Sequence, residues 1–564
     1  MSTIAEKEDT TLRITRPAAA WQEEALLPSL SQTSSVEIYD LRGASPDSVL
    51  SVSTLAGLIN RGPARLYCLE SSDDEFWLQE LDPALPCTRA SVTGDEILDQ
   101  LLLKHREQVA GLVIYDPGLL DTRNVASTLA ALRAGLVVSP EQASRFQTAP
   151  WHVPVLADLR EHGWKSRVQA YVWAYKHLLA ECSPDLIAGL DPKLCGVLRS
   201  YLVTQRVFTC WLDARGIIPR SSAGWHCERG LLKRLFASFH PGAFHLGWFV
   251  SEPFGIRLAS RSALLTLASD HCTNLGVWSS LPCSPEQALA DAPITLDERV
   301  STNEQTVARE QDTVREQVNA RRSIVERAGE QFDANATYLS FTISDGDNLQ
   351  YCQHHLLRLW RDPARGALPL GWTLAPALWR IMPRLAAFYR RTASKNDELI
   401  AGPSGAAYML PSHWPREHRQ AFLQLTADLL RVMGAASLQI LDSGTWFSMR
   451  FLTPDLQELF ADQLSAHGLR GILSGAGGFR PSWRRRAGLL VYQNLGLALN
   501  PRRTLSLIRS ALARGTRFIN VYIFAWNITP GDLQRIVQQL DGKVRVVTPA
   551  RLLELIELAE KEKK

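Results

Sequence analysis

Ala336-Thr337-Tyr338-Leu339-Ser340-Phe341-Thr342-Ile343-Ser344-Asp345-Gly346-Asp347-Asn348 is the stretch on which the fold turns. Its first eight residues are rich in β-branched and aromatic side chains, which pack well on a pleated, buried surface, so they read as a strand. Two carboxylates, a glycine and an amide then fall at the strand's carboxyl end. Open α/β sheets and β/α barrels carry their active sites there, on loops aimed by a rigid strand. Gly346 is expected to turn the backbone sharply, so that Asp345 and Asp347 converge on one small volume. The same residues are also ordinary turn formers that cap their own backbone, so position and company must decide between the two readings.

Working outward, residues 336–564 repeat the pattern. Further strands are expected at 370–374, 398–401, 438–441, 471–473, 488–492, 518–523 and 544–547, with helices over 416–433, 454–467, 504–513 and 530–540. Such alternation predicts a C-terminal (β/α) barrel-like domain, incomplete or distorted relative to eight full units. Residues 35–150 also alternate, with strands at 36–41, 64–69, 111–115 and 136–138 and helices at 47–60, 95–105 and 123–134, and read as a parallel-sheet α/β domain. Its first turn, Leu41-Arg42-Gly43-Ala44-Ser45, has one glycine and so lacks the dinucleotide fingerprint. No cofactor is expected. Residues 151–290 read as mixed helical and α/β, ending in two apolar runs that deliver Glu252 and Asp270. Residues 1–34 read as a flexible tail. The charged span 291–335, with sparse valines at 307, 314, 318 and 325, reads as a helical connector or a partner-binding helix.

Composition excludes several classes. Sixty-one Lys and Arg against 58 Asp and Glu leave a net charge of only +3, with no basic stripe, so nucleic acid is not expected as a partner. No apolar run is long enough to span a bilayer, and the polar, acidic start lacks a signal-peptide pattern, so a cytoplasmic location and no membrane partner are expected. The nine cysteines show no CxxC or zinc spacing and read as free thiols. No metal site is expected from them.

The remaining strand ends are rich in groups that hold polyhydroxylated ligands. After 398–401 comes Gly402-Pro403-Ser404-Gly405-Ala406-Ala407-Tyr408-Met409-Leu410-Pro411; after 438–441 comes Asp442-Ser443-Gly444-Thr445-Trp446; Trp526-Asn527 follows 518–523. Amides and acids take hydroxyl hydrogen bonds while Trp and Tyr offer flat faces to sugar rings.

The pairing of Ser344-Asp345-Gly346-Asp347-Asn348 with Gly405-Ala406-Ala407-Tyr408-Met409-Leu410-Pro411 resembles the GxGYxYP putative glycoside hydrolase family, whose name spells the second motif. The resemblance extends over residues 36–555 and takes in the segments from Gly247 to Glu252 and from Ser269 through Asp270 to Asn274. Ala407 stands where the motif has glycine and Leu410 where it has its second tyrosine, which adds a methyl and removes a hydroxyl. The resemblance implies an N-terminal α/β region, a barrel-type C-terminal domain and a carbohydrate or glycoconjugate ligand.

Glycosidic hydrolysis needs one protonated carboxyl and one ionised carboxylate roughly 5–9.5 Å apart. Asp345 and Asp347 share one turn, so the expected pair is one of them with Glu252, Asp270 or Asp442 across a cleft. The candidate catalytic residues are therefore Asp345, Asp347, Glu252 and Asp442. Asn348, Asp270, Asn274, Ser404, Tyr408 and Trp446 are the candidate substrate-binding residues. Two alternatives remain open: a metal-dependent carbohydrate deacetylase-like hydrolase, and a non-catalytic sugar-binding protein.

Overall fold

The computed structural model describes residues 26–28, 30–81, 85–216, 227–281, 332–445, 448–450, 452–478 and 480–562. Most of the expected connector and Trp446 lie outside the described residues.

Among the described residues ten strands precede residue 281: β1 (Val36–Asp40), β2 (Leu66–Leu69), β3 (Cys87–Thr93), β4 (Gly111–Ile114), β5 (Gly135–Val138), β6 (Val155–Asp158), β7 (Leu186–Gly189), β8 (Phe208–Cys210), β9 (Phe244–Gly247) and β10 (Leu265–Ala268). They form three separate sheets with the orders β2-β1-β3, β5-β4-β6 and β10-β9-β7-β8, and every pairing is parallel. The strands that read as one sheet over 36–138 thus divide between two. Helix Pro46–Ile59 explains the division. It is buried around nearly its whole circumference, as a helix packed between layers must be. Its Ser51 hydroxyl donates to the Val137 carbonyl of β5 at 2.8 Å. On another face, a Cβ at Gly57 would lie 2.6 Å from Val203 Cβ, so only glycine admits the neighbouring helix Arg199–Thr204.

The C-terminal strands are β11 (Thr337–Ile343), β12 (Leu370–Leu374), β13 (Asp397–Ala401), β14 (Ser437–Ile440), β15 (Asp442–Thr445), β16 (Ser448–Arg450), β17 (Gly471–Gly478), β18 (Ser482–Arg486), β19 (Leu489–Ala498), β20 (Phe518–Ile523) and β21 (Val544–Val546). Seven of them close a parallel barrel in the order β11-β12-β13-β14-β17-β19-β20 and back to β11. The distortion expected from sequence lies at the eighth strand. β20 covers one edge of β11 from Tyr338 to Ile343. The other edge is shared, β12 pairing only at Thr342 and Ile343 while β21 pairs at Thr337 to Leu339. β21 is therefore a wedge at the amino end, outside the closed ring.

The phase of β11 sets what the barrel contains. Leu339, Phe341 and Ile343 join the large apolar core, while Ser340 and Thr342 lie on the opposite face of the strand and bond to Asn520 of the neighbouring β20. There Asn520 accepts from Ser340 at 2.7 Å and donates to Thr342 at 3.0 Å and to Asn494 Oδ1 at 2.8 Å. Asn494 in turn donates to Gln439 Oε1 at 2.9 Å. This linked amide chain, wholly shielded from water, pins four strands in register.

The third N-terminal sheet docks on the barrel through backbone bonds. Thr266 of β10 and Tyr408 exchange N–H to O bonds of 3.2 and 3.0 Å, and Ala268 bridges to Asn348. The Leu410 N–H donates to Ser260 Oγ at 3.0 Å. Both sequence motifs are thereby fixed against the neighbouring domain. No described helix is long and apolar enough to cross a membrane.

Candidate active site

Asp345 and Gly346 divide the work of the first motif differently from the sequence expectation. Asp345 itself takes the left-handed conformation, at φ 72°, which short polar residues tolerate best among those with side chains. Gly346 does not have a positive φ. It is needed because a Cβ there would lie 1.8 Å from the Thr373 carbonyl oxygen at the end of β12. Its N–H donates to Thr373 Oγ1 at 3.0 Å and its carbonyl accepts from Ala375 N at 2.7 Å, so the acidic turn is clamped to β12. The Ser344 hydroxyl, which accepts from Ala525 N at 3.1 Å, donates to the Asp345 carboxylate. Asn348 accepts from Tyr351 N at 2.9 Å and starts the following helical segment.

From the other domain, β9 leads through Trp248 to Glu252, the first residue of helix Glu252–Arg261. Tyr408 donates its hydroxyl to Glu252 Oε1 at 3.1 Å, and the Trp248 ring lies nearly parallel to the Tyr408 ring with centroids 6.2 Å apart. Gly405, at φ 134°, makes room for this: a Cβ would meet Phe422 Cζ and Thr426 Oγ1 at 2.8 Å. Ala407, by contrast, has no positive φ and is fully buried, so its methyl costs no backbone strain.

A cavity of about 550 Å³ opens between the two domains. Glu252, Asp345, Asp347, Asn348, Tyr408 and Asp442 all line it. Of the remaining candidates, Asp270, Asn274 and Ser404 do not. Asp270 accepts from Gln350 at 2.5 Å. Asn274 both accepts from and donates to the Cys68 backbone at 2.8 Å, joining the first sheet to the third. Ser404 donates to the Leu441 carbonyl at 2.8 Å and accepts from its N–H at 3.1 Å, a brace at the carboxyl end of β14. Sequence reasoning did not single out Tyr522, which lines the cavity from β20. Its signal was present: Asn520 faces the barrel interior, and Tyr522 lies two residues on, in the same phase.

Burial in this apolar setting governs the charges. It raises the Asp347 carboxyl well above the ordinary carboxylate range, and the charges of Asp345 and Glu252 add to the effect. Glu252 is raised by burial, the Tyr408 hydroxyl opposing and the Asp345 charge reinforcing it. Asp345 is raised by burial too, held back by hydrogen bonds from Ser344 and Trp526 and by His355. Asp442 accepts from the Ser412 N–H at 3.0 Å and hydroxyl at 2.7 Å.

The histidines near the motif are engaged separately. His354 bonds Asp73 at 3.1 Å, and His355 bonds the Ala525 carbonyl at 2.9 Å while stacking on Trp526. Among the described residues no group of three or more His, Cys, Asp or Glu has a metal-holding arrangement. Cys352, fully buried, directs its thiol to the Gly346 carbonyl at 3.6 Å.

Four family models match in succession: the GxGYxYP_N first domain at residues 35–90, the second at 109–182, the third at 184–280, and the GxGYxYP putative glycoside hydrolase C-terminal domain at 335–557. The chain belongs to the GxGYxYP family. In this chain the segment that resembles the family's name motif bears Tyr408, whose hydroxyl donates to Glu252. This GxGYxYP protein shares its fold with a putative hydrolase from Bacteroides thetaiotaomicron VPI-5482, at 19% identity and a TM-score of 0.72, over 94% of this chain and 96% of the other. A putative polysaccharide deacetylase from Mycobacterium smegmatis is similar at only 10% identity and a TM-score of 0.30, over 41% of this chain and 94% of the other. No curated protein matches the sequence.

Proposed function

We propose that this protein hydrolyses a glycosidic bond in the interdomain cavity, with Asp347 as proton donor and Glu252 as its ionised partner. The observation that carries the proposal is the meeting of Asp345, Asp347 and Glu252, from two domains, on one cavity where burial raises all three. Three crowded carboxyls in an apolar site cannot all ionise, so one keeps its proton at neutral pH. Asp347 keeps it, because both neighbouring charges act on it and no side chain among the described residues donates to its carboxylate. Glu252 is the better anion, since Tyr408 donates to it. Asp345 acts through charge on both.

In the reaction Asp347 gives its proton to the glycosidic oxygen as the bond from that oxygen to the anomeric carbon breaks. Glu252 faces the positive charge that develops on the sugar, either bonding to the anomeric carbon or taking a proton from the water that does. In both courses water's oxygen ends on the anomeric carbon with one proton as the new hydroxyl. The other proton restores Asp347, directly when Asp347 deprotonates the water that opens the glycosyl bond to Glu252, or from Glu252 by way of solvent when Glu252 is the base. Trp248 and Tyr408 offer ring faces, and Asn348 and Asp442 offer hydroxyl partners.

The test is hydrolysis of a panel of glycosides by the wild-type protein and by Asp347→Asn and Glu252→Gln. Loss of turnover in both variants, with unchanged circular dichroism, is expected. Full activity in either removes that residue from the mechanism, and azide rescue of Glu252→Gln with a glycosyl azide product identifies it as the nucleophile.

A further inference from the structure

The acids occupy only part of the cavity wall. The rest is aliphatic: Pro253 and Ile256 from the third N-terminal domain, Leu410 from the motif loop, and Leu441, Leu497 and Leu499 from barrel strand ends, with Phe524 beside them. A sugar ring carries a hydroxyl on nearly every carbon, and each one left unpaired in such surroundings costs free energy. Branched aliphatic side chains offer neither a hydrogen bond nor the flat face on which a sugar stacks. Leu410 is the pointed case, because it stands where the family motif has a tyrosine and so removes a hydroxyl from this wall. Two exposed aromatics neighbour lining residues: Phe254, 41% exposed, follows Pro253 in the chain, and Trp526, 44% exposed, is bonded to Asp345. At about 550 Å³ the cavity falls in the size range of small-molecule sites.

We infer that the substrate is a glycoside with an apolar aglycone, alkyl or aryl, whose sugar meets Asp345, Asp347 and Glu252 while the aglycone fills the leucine-lined side. The inference rests on the glycosidase reading and adds to it the class of leaving group. Proton donation by Asp347 then returns the aglycone as a neutral alcohol or phenol.

Binding of methyl, butyl, hexyl and octyl glycosides of several common sugars to the full-length protein, followed by calorimetry, tests this separately from catalysis. Affinity is expected to rise by up to about four-fold per methylene until the cavity is full. Leu410→Gln and the more exposed Leu499→Asn are each expected to cut the octyl-to-methyl affinity ratio by at least about ten-fold, so that a folding failure in one leaves the other. Affinity that ignores chain length, or no binding of any member, overturns the inference. If oligosaccharides are hydrolysed at the same time, the glycosidase reading survives without it. Chain-length dependence with no hydrolysis of any glycoside keeps the apolar ligand and removes the glycosidase.

Discussion

Replacing Gly346 with alanine probes the site at its most constrained point. A methyl there would sit 1.8 Å from the Thr373 carbonyl oxygen, and real Cβ contacts essentially never fall under 3.0 Å. The obstacle is backbone at the end of β12, so no rotamer change relieves it. The acidic turn and β12 must part by more than 1 Å, against the bonds from Gly346 N to Thr373 Oγ1 and from Ala375 N to the Gly346 carbonyl. Overpacking of this kind costs about 1–3 kcal/mol, and the loss of two hydrogen bonds adds about 1–3 kcal/mol more. Displacing catalytic groups by about 1 Å lowers turnover by roughly 100-fold. Urea unfolding followed by circular dichroism, with Gly62→Ala as the control, measures the first quantity, since a Cβ at Gly62 meets nothing within 4 Å. Gly346→Ala should lower the midpoint clearly while Gly62→Ala leaves it nearly unchanged. A Gly346→Ala protein as stable and as active as the wild type would refute the clamp between β11 and β12.

Three further perturbations have defined signs. Tyr408→Phe removes the hydroxyl that donates to Glu252. A hydrogen bond to a charged group is worth about 1.5–3 kcal/mol, so the acidic limb of the pH profile of kcat/KM should move up by about one to two pH units; an unmoved limb would show that Glu252 need not ionise. Asp347→Asn should stabilise the fold at neutral pH. A buried carboxyl raised in the folded state keeps its proton after the unfolded chain has lost it, so its contribution to stability falls as pH rises from the ordinary carboxylate range through the raised folded value. Thermal unfolding from pH 4 to 8 should therefore favour the variant increasingly toward pH 8, and equal curves would count against the crowding. Asn520→Leu leaves Asn494, Ser340 and Thr342 each short of a partner inside the barrel. It should destabilise by about 2–5 kcal/mol in urea unfolding, and a neutral result would mean that the amide chain contributes nothing net.

Much of the secondary structure was legible because periodicity is local. β11, β12 and β20 are apolar runs bounded by turn residues, and the helix Pro530–Val537 begins with a capping box at Thr529 and Asp532. β3 escaped because it is mostly exposed and polar, whereas β21 was expected as a strand and only its place was hidden, since three half-buried residues do not tell which edge they will take. The exchange of roles between Asp345 and Gly346 was equally hidden. Glycine suits both a positive φ and a close backbone approach, and only the position of Thr373 separates the two.

The sequence by itself determined that strands and helices alternate, that acids stand at strand ends, and that the Tyr408 and Asp345 motifs belong together. Tertiary structure alone decided that the ten described N-terminal strands split into three sheets and that the expected barrel closes on seven strands, with β21 left outside. It also decided that Glu252 crosses from another domain to meet Tyr408 while Asp270, Asn274 and Ser404 turn to structural bonds. The physical reason is range. A strand's pattern of side chains records which faces are buried, but which surface buries them depends on partners hundreds of residues away.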